Sequence, residues 1–327
     1  MIDNGERIML ETRITEMLGI KYPIVQGGMA WIGTAELVAA VSNAGGLGIL
    51  GSIMHPTPES LREEIRKTKA LTDKPIGVNI TLLPSMRELP NDGFVQVVRE
   101  EGVPVVETSG GRPEKYIEPL KKANVKIMHK IGSIRHARNA EKLGVDAVIA
   151  VGFEGAGHPL MDDVSLWNLI PGMVDALKIP VLAAGGTSDY RQLTAALALG
   201  ASAVVTGTVF MASKESPAHP DFKLALLSAC ECDTVLVQRT IQNQTRVFKN
   251  KIALEVLELE SRKASFEELV PLIKGERGRR ALMEGDVDYG CMSVGQGVGL
   301  IREILPVQEI VNRFVAGAEQ LLRRLSP

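Results

Sequence analysis

Short runs of apolar, often β-branched residues alternate along the first two thirds of the chain with longer stretches whose apolar positions recur every three or four residues. Runs of the first kind predict strands buried on both faces, and stretches of the second kind predict amphipathic helices. Strands are expected at 23–29, 47–50, 75–81, 103–108, 125–130, 145–151, 180–184 and 203–206. Helices are expected between them at 34–43, 58–71, 93–101, 114–123, 133–143, 165–177 and 189–199. Thr34 and Ser133 stand where N-caps belong, and Gly45-Gly46 stops the first of these helices. Eight βα units in roughly 200 residues fit an α/β fold of the TIM (β/α)8 barrel type. A doubly wound sheet is the alternative, but it would carry G-x-G-x-x-G after its first strand. The stretch Gly27-Gly28-Met29-Ala30-Trp31-Ile32-Gly33 lacks that spacing.

The pattern changes near Pro217. Residues 1–214 and 291–327 are expected to form the barrel and its closing segment, and 215–290 a helical elaboration. Within the elaboration, helices are expected at 221–229, 247–260 and 266–273, followed by the charged run 274–280. Three roles suit it: a substrate lid, a nucleotide platform or a homodimer surface. A last helix, 307–325, is expected to pack back on the barrel.

Composition narrows the function. The 327 residues are 45% hydrophobic with a net charge of -2, so no basic surplus exists to neutralise nucleic-acid phosphates. Aromatic residues, at 4%, are too sparse to favour base stacking. The N-terminal segment is charged (Asp3, Glu6, Arg7, Glu11, Arg13, Glu16), unlike a signal peptide, and no apolar run reaches membrane-spanning length. Three cysteines suggest a reducing compartment, so a soluble cytoplasmic protein is expected. Cys230-Glu231-Cys232 has no second Cys/His pair at zinc spacing; no metal is expected, and the two thiols read as ordinary helix residues.

Barrel enzymes build their sites at the C-terminal ends of the strands. That face would gather Gln26–Met29, Asn79, Glu107–Gly110, Lys130, the loop Gly152–His158, Gly185-Gly186 and Gly207-Thr208. The last two pairs follow the seventh and eighth strands, where barrels bind phosphate through backbone N–H groups; tight turns are the plainer reading of the same glycines. Lys130 ends an apolar strand and needs an anionic partner, either a bound cofactor or a carboxylate at the rim. His158 offers proton transfer near neutral pH, or serves as a loop or capping residue. Cys291 has no histidine near it in sequence and reads as packing.

Gln26-Gly27-Gly28-Met29, Ala44-Gly45-Gly46-Leu47-Gly48, Gly77-Val78-Asn79, Gly152 through His158, Ala184-Gly185-Gly186 and Gly207-Thr208 resemble the nitronate monooxygenase group, also known as 2-nitropropane dioxygenases. That group also holds flavin-dependent enoyl-ACP reductases and bacterial NADH:quinone reductases. The resemblance runs from about Thr12 to the end. Thr81-Leu82-Leu83-Pro84, Phe153–Pro159, Asn243–Asn250 and Gly285-Asp286-Val287-Asp288 look most like the quinone reductase branch, whereas Gly295-Gln296 looks more like the wider family. The resemblance implies an FMN-binding barrel. Gly27, Gly28 and Met29 would line the isoalloxazine, and Asn79 and Lys130 would contact the ring. Gly185, Gly186, Gly207 and Thr208 would hold the phosphate, while Gln296 would close the site. Gly155, Ala156 and Gly157 would shape the pocket in which His158 meets substrate.

Two flavin functions follow from the resemblance: oxidation of an alkyl nitronate with O2, or reduction of a quinone or an enoyl thioester with NADH or NADPH as co-substrate. A flavin-free barrel enzyme acting on phosphorylated metabolites is the alternative from another class. A binding module without catalysis fits least, because a lysine and a histidine converge on the barrel mouth.

Overall fold

The computed structural model describes residues 2–3, 7–8, 10–83 and 88–325. Pro84 and Glu6 lie outside these. Eight parallel strands close into a barrel. They are β1 (Ile24–Gln26), β2 (Leu47–Gly51), β3 (Ile76–Thr81), β4 (Val105–Ser109), β5 (Lys126–Ile131), β6 (Ala147–Val151), β7 (Val181–Ala184) and β8 (Ala203–Thr206). Each neighbours the next in sequence, and β8 closes the ring on β1 through the pairs Val204–Ile24 and Val205–Val25.

Helix α1 (Arg13–Leu18) precedes the barrel. An outer layer then follows the strands: α2 (Ala35–Asn43), α3 (Pro58–Leu71), α4 (Asn91–Glu100), α5 (Glu114–Lys122), α6 (Ile134–Leu143), α7 (Leu166–Ala176) and α8 (Tyr190–Ala198). Ser133 caps α6 by accepting from His136 N–H, as its position predicts, whereas Thr34 makes no side-chain cap at α2.

Strand residues alternate between two cores, as a pleated wall requires. Val25, Ile49, Val105, Met128, Ile149, Leu182 and Val205 fill the barrel interior, while Ile24, Leu50, Val106, Ile127 and Val148 pack outward against helices. Ile14 and Leu18 of α1 join the interior cluster and plug one end of the barrel. The C-terminal ends of the strands are left to build the site.

The short helix α9 (Thr208–Met211) follows β8, and α10 (Pro220–Ser228) comes next. Two further strands, β9 (Thr234–Val237) and β10 (Thr245–Phe248), pair as an antiparallel ribbon. The expected helix over 247–260 therefore starts later, as α11 (Lys251–Ser261), with Asn250 accepting from Ala253 N–H as its cap. Val247 belongs to the ribbon, whose β-branched Thr and Val residues suit a pleated surface better than a helix. Helices α12 (Phe266–Ile273) and α13 (Gly275–Glu284) complete the segment, and the charged run 274–280 is largely the first turns of α13. Cys230 and Cys232 lie in an exposed turn after α10 and are not helical. With Glu231 they bring three potential ligand atoms within 4.8 Å of one another.

The terminal helix α14 (Val307–Leu325) packs on α8 and α2, across the seam where the barrel closes. Its Gly317 admits the ring of Tyr190, which a Cβ there would meet at 2.3 Å. Among the described residues no helix is long and apolar enough to cross a membrane.

Candidate active site

A cavity of about 690 Å³ opens over the C-terminal ends of the strands. Gly27, Gly28, Met29, Asn79, Lys130, Gly155, Ala156, Gly157, His158, Gly185, Gly186, Gly207 and Thr208 all line it. Gln296 does not, although its neighbours Gly295 and Gly297 do. Its main chain ties the closing segment to the site, because Gln296 N–H donates to Glu154 O at 3.0 Å.

The wall formed by β1, β3 and β5 rests on a buried carboxylate. Glu107, in the middle of β4, is 0% exposed. Its Oε1 lies 2.9 Å from Lys130 Nζ and accepts from Asn79 Nδ2 at 2.7 Å and from Gly28 N–H at 3.2 Å. Register puts the group together: Asn79 is paired with Glu107, and Glu107 with Met128, two residues before Lys130. The anionic partner that Lys130 requires is thus supplied by the protein, and Lys130 still reaches the cavity. Glu107 Oε2 is buried without a hydrogen-bond partner among the described residues. Such orphaned buried oxygens are rare and mark a site that holds something else or stores strain. Close packing enforces glycine here, since a Cβ at Gly28 would meet Asn79 Cβ at 2.3 Å.

The wall after β7 and β8 combines glycine backbone with short hydroxyl side chains, Thr187, Ser188 and Thr208 among them. Gly185 and Gly186 take φ of 127° and 65°, which glycine adopts freely. A Cβ at Gly185 would sit 3.0 Å from Gly155 N, and one at Gly207 3.1 Å from Met29 Sδ. Thr208 Oγ1 accepts from Gly295 N–H at 3.1 Å and keeps its own hydroxyl proton to donate.

His158 sits on the loop after β6. Its side chain is open to the cavity, and protein surrounds it on the other sides, so desolvation holds the imidazole below its ordinary pKa of 6.5. Desolvation is the sole cause of that shift, and among the described residues no side-chain partner bonds the ring. It is therefore neutral at pH 7, with one ring nitrogen to accept and the other to donate. Glu154 in the same loop points elsewhere. Both of its oxygens take Leu166 N–H (3.2 and 3.3 Å) at the start of α7, and burial pushes its carboxyl up. Cys291 also lines the cavity, with its thiol pushed up to about 11 by burial, which leaves it protonated and a poor nucleophile.

One residue was expected on this face but given no role, and a second was not singled out by sequence reasoning. Glu107 follows Val105-Val106 and was expected among the strand-end residues without a role; the adjacency of its strand to that of Lys130 could have paired them. Arg246 lies on the unexpected ribbon β10 and contacts the histidine loop; nothing local in the sequence points to that contact.

A deep cavity over the strand ends of a parallel barrel is where barrel enzymes work, and this molecule is an oxidoreductase of that architecture. The chain belongs to the nitronate monooxygenase family, whose profile matches residues 11–317; its members are flavin enzymes. A Rhodococcus jostii (strain RHA1) protein named (3aS,4S,5R,7aS)-5-hydroxy-7a-methyl-1-oxo-octahydro-1H-indene-4-carboxyl-CoA dehydrogenase is 33% identical, the match covering 94% of this chain and 96% of that one. A probable nitronate monooxygenase of Staphylococcus saprophyticus is 32% identical over 96% of this chain and 99% of its own. Among solved structures, FabK from Thermotoga maritima is 41% identical with a TM-score of 0.90, covering 96% of this chain and 98% of that chain. The nitroalkane oxidase of Streptomyces ansochromogenes is 27% identical with a TM-score of 0.82, covering 96% and 99%.

Proposed function

We propose that this chain is an FMN-dependent oxidoreductase that oxidises alkyl nitronates with O2. The observation that carries this reading is the His158 imidazole, which has no side-chain partner among the described residues and lines the same cavity as the Lys130 ammonium. An anionic nitronate needs hydrogen-bond donors, and His158 and the Lys130 ammonium, whose charge Glu107 partly balances, would supply them.

The residues fit FMN. Gly185, Gly186 and Gly207 would take its phosphate on exposed backbone, where added Cβ atoms would fill the space, and Thr208 would add a hydroxyl. Gly27, Gly28 and Met29 would back the ring, with Asn79 and Lys130 at its edge, both anchored by Glu107. Gly155, Ala156 and Gly157 would shape the substrate side, and Gln296 would close the phosphate side through its main chain. Bound there, FMN supplies the electron-accepting ring that the protein lacks. His158 would hold or take a proton at one ring nitrogen, and Lys130 would balance negative charge.

A second reading has its own support in the greater identity to FabK than to the nitroalkane oxidase. In it NADH or NADPH is the co-substrate, and electrons leave to a quinone or an enoyl thioester. The cavity runs out between Trp31 and Arg279, whose guanidinium stands 5.4 Å from the indole centroid, and such a cationic mouth suits a phosphate-bearing co-substrate. We also take 215–290 as an accessory domain on the barrel. The three free thiols support a cytoplasmic location.

The test is anaerobic mixing of the purified protein with a propionate-type nitronate, NADH or NADPH while flavin absorbance is followed. Bleaching by the nitronate, and none by NADH or NADPH, is expected. Bleaching by NADH with no nitronate turnover overturns the first reading in favour of the second. A colourless protein that gains no visible spectrum with added FMN overturns both.

A further inference from the structure

The loop that presents His158 is held from outside the barrel. Arg246 on β10 is 3% exposed. Its Nε donates to Phe153 O at 2.9 Å, one terminal nitrogen donates to Thr234 Oγ1 at 3.0 Å, and its guanidinium lies 5.3 Å from the Phe153 ring centroid. The main chains also join: Arg246 N–H donates to Gly157 O at 2.7 Å and Gly157 N–H to Arg246 O at 3.2 Å. Gly157 immediately precedes His158 and takes φ of 77°, so the bridge fixes the backbone at the one left-handed residue beside the imidazole. Farther along, Gln244 Nε2 donates to Leu160 O at 3.0 Å, and Arg239 pairs with Asp163 at 2.9 Å.

Arg246 is an unusual choice for a structural tie. A buried guanidinium is costly unless paired, yet no carboxylate lies within ion-pairing distance of it among the described residues; Glu154 and Asp163 act on it only at longer range. Its bonds go to a carbonyl, a hydroxyl and a ring, all at the root of the histidine loop or on the facing strand. A rigid, planar donor can grip both at once, which an ammonium cannot.

We propose that Arg246 is a positioning residue for His158: its guanidinium locks Phe153 at the root of the histidine loop, beside the main-chain bridge to Gly157, and the β9–β10 ribbon is thereby a working part of the active site. The proposal rests on the reading of His158 as the group that meets substrate. The experiment therefore has one arm that does not depend on turnover. Holoprotein labelled with 15N-histidine is compared with Arg246→Ala, the His158 imidazole signals being assigned by their loss in His158→Ala. The expected result is a shift or broadening of the His158 signals while those of His129 stay put. With a propionate-type nitronate, kcat should fall about 10- to 100-fold with KM little changed, the scale of a small misplacement of a reacting group. Added guanidinium should restore part of it, and Arg246→Lys should not. In the His158→Ala background, Arg246→Ala should lower kcat no further. Unmoved imidazole signals, or an equal fold-loss in both backgrounds, overturn the proposal. Unchanged turnover in His158→Ala would instead sink the functional reading and leave the spectroscopic arm to decide the positioning. If Arg246→Ala does not fold, Thr234→Val removes one acceptor and carries the same expectations on a smaller scale.

Discussion

Replacing Lys130 with Met tests the Lys130–Glu107 pair directly, and the two partners should not be equivalent. Glu107 is 0% exposed, whereas the Lys130 side chain is 22% exposed, toward the cavity. Removing the lysine leaves a carboxylate buried with two N–H donors, Asn79 and Gly28, and no counter-charge. Stripping one partner from a buried pair costs about 3–5 kcal/mol. Glu107→Gln keeps an acceptor for both donors and leaves an ammonium that water in the cavity can reach, so its cost should be nearer 1 kcal/mol. Unfolding entropy is about 2.1 cal/mol/K per residue, or roughly 0.7 kcal/mol/K for this chain, so Lys130→Met should lower Tm by about 4–7 °C and Glu107→Gln by about 1–2 °C. The double variant removes both charges and should be more stable than Lys130→Met alone, a non-additivity expected of directly interacting groups. The assay is thermal and urea unfolding of the flavin-free protein at low and moderate salt, which keeps cofactor binding out of the comparison. A double variant that is less stable than Lys130→Met, with the two losses simply adding, would show that the side chains act independently and that the pair does not organise this wall.

The remaining expectations follow from the same geometry. Because burial holds the His158 imidazole below 6.5, the acid limb of kcat/KM should fall below pH 6.5 if neutral His158 is required; a limb above pH 7 argues against it. His129, bonded to Thr108 Oγ1 at 2.8 Å and 7% exposed, is lowered to about 4 by burial. A histidine whose folded pKa is depressed gives its full stability above 6.5 and loses it as pH falls, by about 3 kcal/mol in all once pH 4 is reached. Urea melts of His129→Gln should lack that slope. Gly185→Ala forces a side chain to φ 127° and against Gly155 N, so it should cost about 1–3 kcal/mol and release FMN, read as free flavin fluorescence after gel filtration. Retention of flavin by this variant would count against a phosphate role for that turn.

The sequence made the barrel visible because its strands are apolar on both faces and its loops break at glycines. Strand bounds came within two or three residues, and the glycines after β1, β7 and β8 do face one cavity. What stayed hidden depends on contacts between distant segments. Glu107 becomes meaningful only when β4 lies beside β3 and β5, and Arg246 only when β10 meets the loop after β6. The ribbon itself escaped notice because TVLV and TRVF are four-residue runs without polar–apolar alternation and with no hairpin turn signal between them. Gln296 was expected to close the site, and its described tie to it is its main-chain N–H to Glu154 O.

The closing of the ring has a bearing on how the molecule is made. One wall of the cavity comes from Gly27 and Gly28, another from Gly207 and Thr208, and the last from Gly295 and Gly297. β1 finds its second neighbour only when β8 exists, and α14 covers that join afterwards. On the ribosome, where segments emerge in order, the pocket is among the last features to take shape. A chain stopped short of Gly297 would have nearly all of its barrel and still lack part of the wall, so a ligand that needs the whole cavity would reward only finished chains.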